Sequence, residues 1–301
     1  MNTPIVLVAG ADAAYTVPLG VTLFSAVRRL PKSQRVEVHV VDGGLATHER
    51  VLVKQTVGGA HPRVDVAWHR DDSDDLRGLT GKNHVSAAAY LRLLIPRMVP
   101  GDRALYLDSD LVVQRDLSDL WETDLEGATV GAVRDEQIPT LGAAGLPRAP
   151  ENAQAAYFNS GVLLMDLRAW RSRSVSERVL ADLRAYGDQY RMTDQDALNE
   201  SLSGDWRALD PRWNVQVFRS AQAAAPLPSG EAFILHYTTG SKPWTHVSRV
   251  HATRAYHAAW HRELRASGMV GPSGRAWRLV SRAARTVSKG WSSRRRAVST
   301  P

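Results

Sequence analysis

Asp108-Ser109-Asp110 closes the apolar run Arg103-Ala-Leu-Tyr-Leu107. Residues i and i+2 of an extended segment point to one side, so a strand ending in this triplet presents two carboxylates together. Such a pair suits a hard divalent cation, Mn²⁺ or Mg²⁺, which takes oxygen ligands and keeps open positions for phosphate. The carboxyl end of a strand in an α/β sheet is also where ligands bind. On its own, Asp-x-Asp is more often a solvated strand end or a helix cap. Its weight comes from four companions.

An early run, Ile5–Ala9, leads into Gly10-Ala11-Asp12, with Tyr15 close behind. Small residues let a ligand approach the backbone, Asp12 offers acceptors to a base or ribose, and Tyr15 offers a stacking face. A strand-to-helix turn with an Asp cap explains the same residues. No G-x-G-x-x-G occurs, so the dinucleotide fingerprint is absent. Asn159-Ser160-Gly161 stands before the apolar run Gly161–Met165, where an amide could bond to hydroxyls; a β-turn is the plainer reading. Thr193-Asp194-Gln195-Asp196 reads as a helix start, Thr193 the cap and Asp196 its reciprocal partner, which leaves Asp194 and Gln195 unexplained. Last comes His236-Tyr-Thr-Thr-Gly240-Ser-Lys242-Pro-Trp244. A neutral imidazole can complete a metal site, and a lysine can neutralise a phosphate that gains charge as a leaving group. Together with the carboxylate pair, these residues supply what a metal-bound diphosphate needs.

Elements must position these groups, and the pattern supplies them. Ile5–Ala9, Val36–Val41, Val64–Trp68, Leu105–Leu107 and Val130–Val133 read as strands, and Pro18–Leu30, Thr47–Val57 and Ser86–Leu94 as helices, the last ended by Pro96. Asp42-Gly43-Gly44 is a turn. Gln137–Asn152, rich in Pro, Gly and Ala, reads as a loop. Helices follow around Ser174–Tyr186 and from Thr193, and Phe233–His236 is a further strand. Alternating strands and helices predict an α/β fold with a mainly parallel sheet covered on both faces.

Composition bounds the rest. Apolar content of 44% is enough for a sizeable core. The absence of cysteine excludes disulfides, zinc–thiolate sites and thiol nucleophiles, and nothing argues for an oxidising compartment. The first residues lack a basic region, and their apolar run is too short for a signal peptide or a membrane span, so a cytoplasmic chain is expected. Net charge is +7, yet nine arginines and lysines and no acid lie from Leu264 onward, so the excess resides in that stretch. A specific nucleic-acid partner gains little from it. Arg275–Arg296 also carries Trp277, Leu279, Val280 and Trp291, which suits an anionic membrane surface such as the inner face. A solubilising tail or nonspecific nucleic-acid binder is the alternative. The expected division is a domain over residues 1–262 and a basic tail over 263–301.

Taken together, Tyr90-Leu-Arg-Leu93, Tyr106-Leu-Asp-Ser-Asp110, Phe158-Asn-Ser-Gly161, Asp194-Gln-Asp196 and the His236/Lys242-Pro-Trp244 element resemble glycosyltransferase family 8. This group contains glycogenin and bacterial lipopolysaccharide galactosyl- and glucosyltransferases. The resemblance runs from about Ile5 to Trp244. It implies a single Rossmann-like nucleotide-sugar-binding domain of GT-A type and a Mn²⁺-dependent hexose transfer from a UDP-sugar, UDP-glucose or UDP-galactose, with retention of anomeric configuration. It implies that Asp108, Asp110 and His236 bind the metal, and that Asp12 and Tyr15 hold uridine. Lys242 then meets the diphosphate, and Arg92, Asn159, Asp194 and Gln195 the donor sugar, with Ala9, Ser109 and Gly240 also at the nucleotide sugar. Gln195, Asp194 and Lys242 are the catalytic candidates. One element departs from the family: its glycine usually stands three residues after the histidine, where this chain has Thr239, although the His-to-Lys spacing is kept. Retention is open to a covalent intermediate or to same-face attack, and the lack of a Glu in these motifs favours the second. The acceptor, a glycan, lipid-linked or small-molecule hydroxyl, is not legible. A UDP-sugar hydrolase and an inactive nucleotide-sugar-binding protein are the competing functions.

Overall fold

The structure is a computed structural model and describes residues 3–81, 87–149, 152–218, 230–240, 242–245 and 251–269. Its frame is a seven-stranded sheet in the order β3-β2-β1-β4-β7-β6-β8. Here β1 is Ile5–Ala11, β2 Val36–Asp42, β3 Val64–Arg70, β4 Arg103–Leu107, β6 Val130–Arg134, β7 Phe158–Asp166 and β8 Trp206–Ala208. Four neighbouring pairs are parallel, and β7 runs antiparallel between β4 and β6. Strands covered on both faces must be apolar throughout. β1 and β4 satisfy this with Ile5–Ala9 and Ala104–Leu107, all buried. By contrast β3, at the edge, has no fully buried residue.

The helices Thr16–Val27 and Thr47–Ala60 make the crossovers from β1 to β2 and from β2 to β3. Thr16–Val27 is buried at every position but one, because the sheet lies on one side and the C-terminal helix His251–Ser267 on the other. Gly20 permits that approach: a Cβ there would collide with the Met269 side chain. Strand order turns back at β1, whose carboxyl end lies beside that of β4, and such a switch point opens a crevice. Ser109 ties the two ends together, its hydroxyl donating to the Gly10 carbonyl at 2.7 Å.

A second, three-stranded sheet flanks this crevice: β5 (Leu111–Val113), β10 (Ile234–His236) and β9 (Val215–Gln216), in the order β5-β10-β9. Since β5 follows Asp110 directly and pairs antiparallel with β10, His236 is set opposite Leu111 and beside the carboxylates.

The expected elements reappear with several corrections. Ala87–Leu94 is a 3₁₀ helix, and Pro96, rather than ending it, lies in the first turn of a short helix, Ile95–Met98. Proline is tolerated there because the N–H it lacks would be unpaired. Ser86 lies outside the described residues. The stretch Gln137–Asn152 contains a helix, Leu141–Ala144, capped by the Thr140 hydroxyl and ended by Gly145 at φ +68°. Asn159 and Ser160 belong to β7 and not to a turn. The helix His251–Ser267 crosses the expected boundary at residue 262, and Glu263, Leu264 and Met269 are buried. Of the expected tail, residues 270–301 lie outside the described residues.

Candidate active site

The crevice is a cleft of about 130 Å³ at the carboxyl ends of β1 and β4. Gly10, Ala11 and Tyr15 line it from β1 and the turn after it; Tyr106, Asp108, Ser109 and Asp110 from β4; Asn159 and Ser160 from β7; Asp194 and Gln195 from a helix start; His236, Thr238 and Lys242 from β10 and its loop.

At its centre Asp108, Asp110 and His236 each offer a ligand atom, all within 4.8 Å of one another. His236 Nε2 lies 3.2 Å from Asp110 Oδ1 and 3.6 Å from Asp108 Oδ2. Asp110 Oδ1 is buried and makes no hydrogen bond. A buried carboxylate oxygen is almost always bonded, so an atom left open toward an imidazole and a second carboxylate fits a cation. Two carboxylates and one imidazole form a mixed oxygen and nitrogen donor set for a divalent cation, the carboxylates being of the kind that Mg²⁺ and Mn²⁺ take. The other oxygen, Asp110 Oδ2, accepts from Lys242 Nζ at 2.6 Å. Burial works against the Asp110 charge, but Lys242 and then His236 outweigh it and hold this carboxyl below the usual carboxylate range.

The site needs Gly161. A Cβ there would come within 3.0 Å of Asp108 Oδ2 and closer still to the His236 ring. The glycine in Asn159-Ser160-Gly161 therefore makes room for the histidine.

Arg92 braces the opposite wall. It is 4% exposed, yet its guanidinium is matched on every side. Nη2 donates to Asp108 Oδ1 at 2.9 Å, Nη1 to the Ser160 carbonyl and hydroxyl, and Nε lies 2.9 Å from Asp194 Oδ2. Burial opposes its charge, but Asp108 and Asp194 together raise its affinity for the proton. Tyr106 adds a hydrogen bond to Asp108 Oδ1 at 2.6 Å, and its ring lies 4.8 Å from the Arg92 guanidinium. For Asp194 the balance is reversed: burial pushes its carboxyl up despite Arg92.

The helix Asp194–Ser201 begins without the expected capping box. Thr193 makes no side-chain cap bond and sits at φ +51°, a costly conformation for a β-branched residue. Its hydroxyl bonds to Asp194 Oδ1 instead. Asp196 accepts from the Arg191 and Met192 amides and from the Tyr157 hydroxyl. These bonds over-determine the turn and aim Asp194 and Gln195 at the cleft. The Gln195 amide is fixed at both ends: Oε1 by the Ser160 amide at 3.0 Å, and Nε2 by Asp135 and the Tyr157 hydroxyl, each at 3.3 Å.

Of the residues singled out in sequence, Tyr15, Arg92, Asp108, Ser109, Asp110, Asn159, Asp194, Gln195, His236 and Lys242 meet in this cleft. Ala9, Asp12 and Gly240 are not among its lining. Ala9 is fully buried inside β1, the Asp12 carboxylate accepts from the Ala14 amide, and Gly240 is exposed in the loop after β10. Tyr15 meets Trp244 edge to face at 5.7 Å, and Trp244 lies 5.3 Å from Trp260 of the C-terminal helix, anchoring the Lys-Pro-Trp element.

Sequence reasoning missed Asp135 and Asn214 and gave Tyr106, quoted within its motif, no role. Asp135 had a visible signal, since Val130–Val133 runs into it much as β4 runs into Asp108. Asn214 had none: its side chain bonds to residues far away in sequence, among them His236, 22 residues on, whose Nδ1 lies 2.9 Å from Asn214 Oδ1.

Several known proteins are similar to this chain in sequence or in fold. The chain is 28% identical over 257 residues to general stress protein A of Bacillus subtilis, covering 79% of this chain and 86% of that one. It is 29% identical to the lipopolysaccharide 1,2-glucosyltransferase of Escherichia coli K12, covering 78% and 71%. The crystal structure of the galactosyltransferase LgtC with donor and acceptor sugar analogues shares the fold, with a TM-score of 0.75 at 24% identity over 91% of this chain and 100% of that one. Other relatives are longer, and the chain spans 56% of one and 24% of another. Residues 6–248 match the family described as Glycosyl transferase family 8. With four-fifths of its length inside that match, the chain belongs to glycosyl transferase family 8.

Proposed function

We infer that this glycosyltransferase moves a hexose, glucose or galactose, from a UDP-sugar to a hydroxyl acceptor with retention of configuration, using Mn²⁺ or Mg²⁺ at Asp108, Asp110 and His236. The observation that carries this reading is the open, buried Asp110 Oδ1 facing His236 Nε2 at 3.2 Å. The names of the Escherichia coli glucosyltransferase and of the galactosyltransferase LgtC support a glucose or galactose donor.

The divalent ion, when bound, would supply positive charge against the departing diphosphate. Lys242, buried beside Asp110, adds a second positive charge on that side. Gly10 and Ala11 give the nucleotide a smooth wall, and Tyr15 an aromatic one. Arg92, Asn159, Asp194 and Gln195 present bonding groups to the sugar hydroxyls.

Same-face attack explains retention better than a covalent intermediate. Gln195 is an amide, a poor nucleophile, with both ends engaged. Asp194, the remaining carboxylate of the cleft lining outside the metal set, is tied to Arg92 and Thr193. In this route the C1–O bond to UDP breaks, the acceptor oxygen bonds to C1 on the same face, and the departing phosphate oxygen takes the acceptor's proton. The acceptor is a glycan, lipid-linked or small-molecule hydroxyl. Cytoplasmic residence, with the basic tail at an anionic membrane surface, completes the proposal. Among the described residues no helix is long and apolar enough to cross a membrane.

A panel of UDP-sugars and acceptors, with and without Mn²⁺, tests the reading. UDP release from UDP-glucose or UDP-galactose should require both Mn²⁺ and an acceptor. It should fall roughly 10²–10³-fold in Asp110→Ala, on the scale of losing one charge-stabilising group. Release without an acceptor would mark a hydrolase, and UDP binding without turnover of any donor a non-catalytic binder.

A further inference from the structure

His236 is held by a side chain that never touches the cleft surface. Asn214 is 0% exposed and uses both ends of its amide. One end lies 2.9 Å from His236 Nδ1, and the other 2.9 Å from Asn159 Oδ1. The direction of every bond in this chain follows from one backbone group. The Gly161 amide can only donate, and it donates to Asn159 at 3.0 Å, so the Asn159 atom there is its oxygen. The end of Asn214 facing that oxygen must then be its NH₂. Its other end is therefore the carbonyl oxygen, an acceptor, and the His236 nitrogen facing it must carry a proton.

We propose that Asn214 is a positioning residue that locks His236 with its proton on Nδ1, so that Nε2 presents its lone pair to a divalent cation between Asp108 and Asp110. This rests on the metal-site reading above. A neutral imidazole has one proton; placing it on Nδ1 leaves Nε2 to bind. An Nε2 lone pair facing Asp108 and Asp110 requires a cation in their midst, either the metal or, without it, a second proton on the ring. Partners of this kind on the far nitrogen fix ring orientation and raise the basicity of metal-binding histidines. The ring packs against β7 in the space that a Cβ on Gly161 would fill. Asn159 reaches on to Asp135, which also holds Gln195, so the metal side and the sugar side of the cleft share one hydrogen-bonded frame.

The test compares wild type, Asn214→Leu and Asn214→Asp. Leucine fills the space and removes the acceptor; aspartate keeps the acceptor toward His236 and loses the donor toward Asn159. Nitrogen-15 spectra of histidine-labelled, metal-free wild type should show the His236 proton on Nδ1 whether or not Nε2 is also protonated. A neutral His236 protonated on Nε2 would overturn the proposal. Mn²⁺ affinity, read by calorimetry, should fall about 10–100-fold in Asn214→Leu, the range for losing such a partner, and return to within about threefold of wild type in Asn214→Asp. Thermal melts establish that each variant is folded. If Leu and Asp weaken Mn²⁺ binding equally, Asn214 only packs, and the proposal fails. Wild type that binds no Mn²⁺ yet keeps its proton on Nδ1 would sink the metal reading and still support the tautomer.

Discussion

Two clusters of charge lie near opposite ends of the Thr16–Val27 helix, and they are finished differently. At the C-terminal end, Glu263 of the C-terminal helix is 2% exposed and spends both oxygens, one on Arg28 at 2.9 Å and the other on Arg29 at 2.8 Å. Nothing is left over on the carboxylate. In the cleft, Asp110 spends one oxygen on Lys242, while the other is buried, makes no hydrogen bond and faces the His236 ring at 3.2 Å. A buried charge is tolerable when its lone pairs are filled, so the seam is closed because its task is to hold two helices together. The cleft stays open at one atom because a further positive charge belongs there.

The largest expected effect tests the open cluster by filling its space. Gly161→Ala puts a methyl group against His236 and Asp108 Oδ2, so those ligands must move apart. Displacing a positioned group by about 1 Å can cost about 10²-fold in rate, and turnover of the UDP-hexose should fall on that scale. The melting temperature should fall as well, since overpacking costs about 1–3 kcal/mol. A variant with wild-type turnover would mean that His236 does not work where it stands.

Breaking the closed cluster should do the converse. Glu263→Ala strands two arginines and loosens the C-terminal helix. Removal of one partner from a buried pair costs about 3–5 kcal/mol. The arginine side chains are 38% and 20% exposed and can recover water, so a loss of about 2 kcal/mol is expected here. Urea unfolding measures it. Turnover at a permissive temperature should stay within about twofold, since the seam contributes no group to the cleft lining. A large loss of turnover in a folded variant would join the two clusters and end the contrast.

How far sequence reaches follows the same division. β1, β2 and β4 are legible because burial on both faces demands unbroken apolar runs, and the carboxylate pair is legible because it ends one. His236 and Lys242 stand out as polar residues at a strand end. Of the sheet that carries His236, Phe233–His236 is legible as a strand, but its partners are not, since they have two or three residues, too few to show a period. Glu263 reads as part of a basic tail, although Tyr256, Ala259, Trp260 and Leu264 already stand at helical spacing. Its partners lie some 235 residues away. Asn214 is hidden for a related reason: its worth is a hydrogen bond to one residue and a direction imposed by another. Thr193 and Asp196 mislead, because a capping box and a strained turn braced from inside use the same residue types.

The smallest expected effect concerns the sign of a single charge. Asp194 is 2% exposed, and burial raises its carboxyl above the usual range even though Arg92 and Thr193 pull it down. A raised carboxyl takes up its proton more readily in the folded state than in the unfolded one. Its ionised form therefore costs stability near neutrality, and the cost vanishes below the unfolded value of about 3.9. Asp110 has the opposite sign: its depressed carboxyl contributes stability above that value and loses it as acid protonates it. Asp194→Asn should thus be more stable than wild type near pH 7, with the gap closing toward about pH 4, while its turnover falls. Paired urea midpoints at the two pH values read this directly. A variant that is less stable near neutrality would mean that Arg92 outweighs burial at Asp194. The cleft charges there would then be as well closed as the Glu263 seam, and the openness of the site would reside in Asp110 alone.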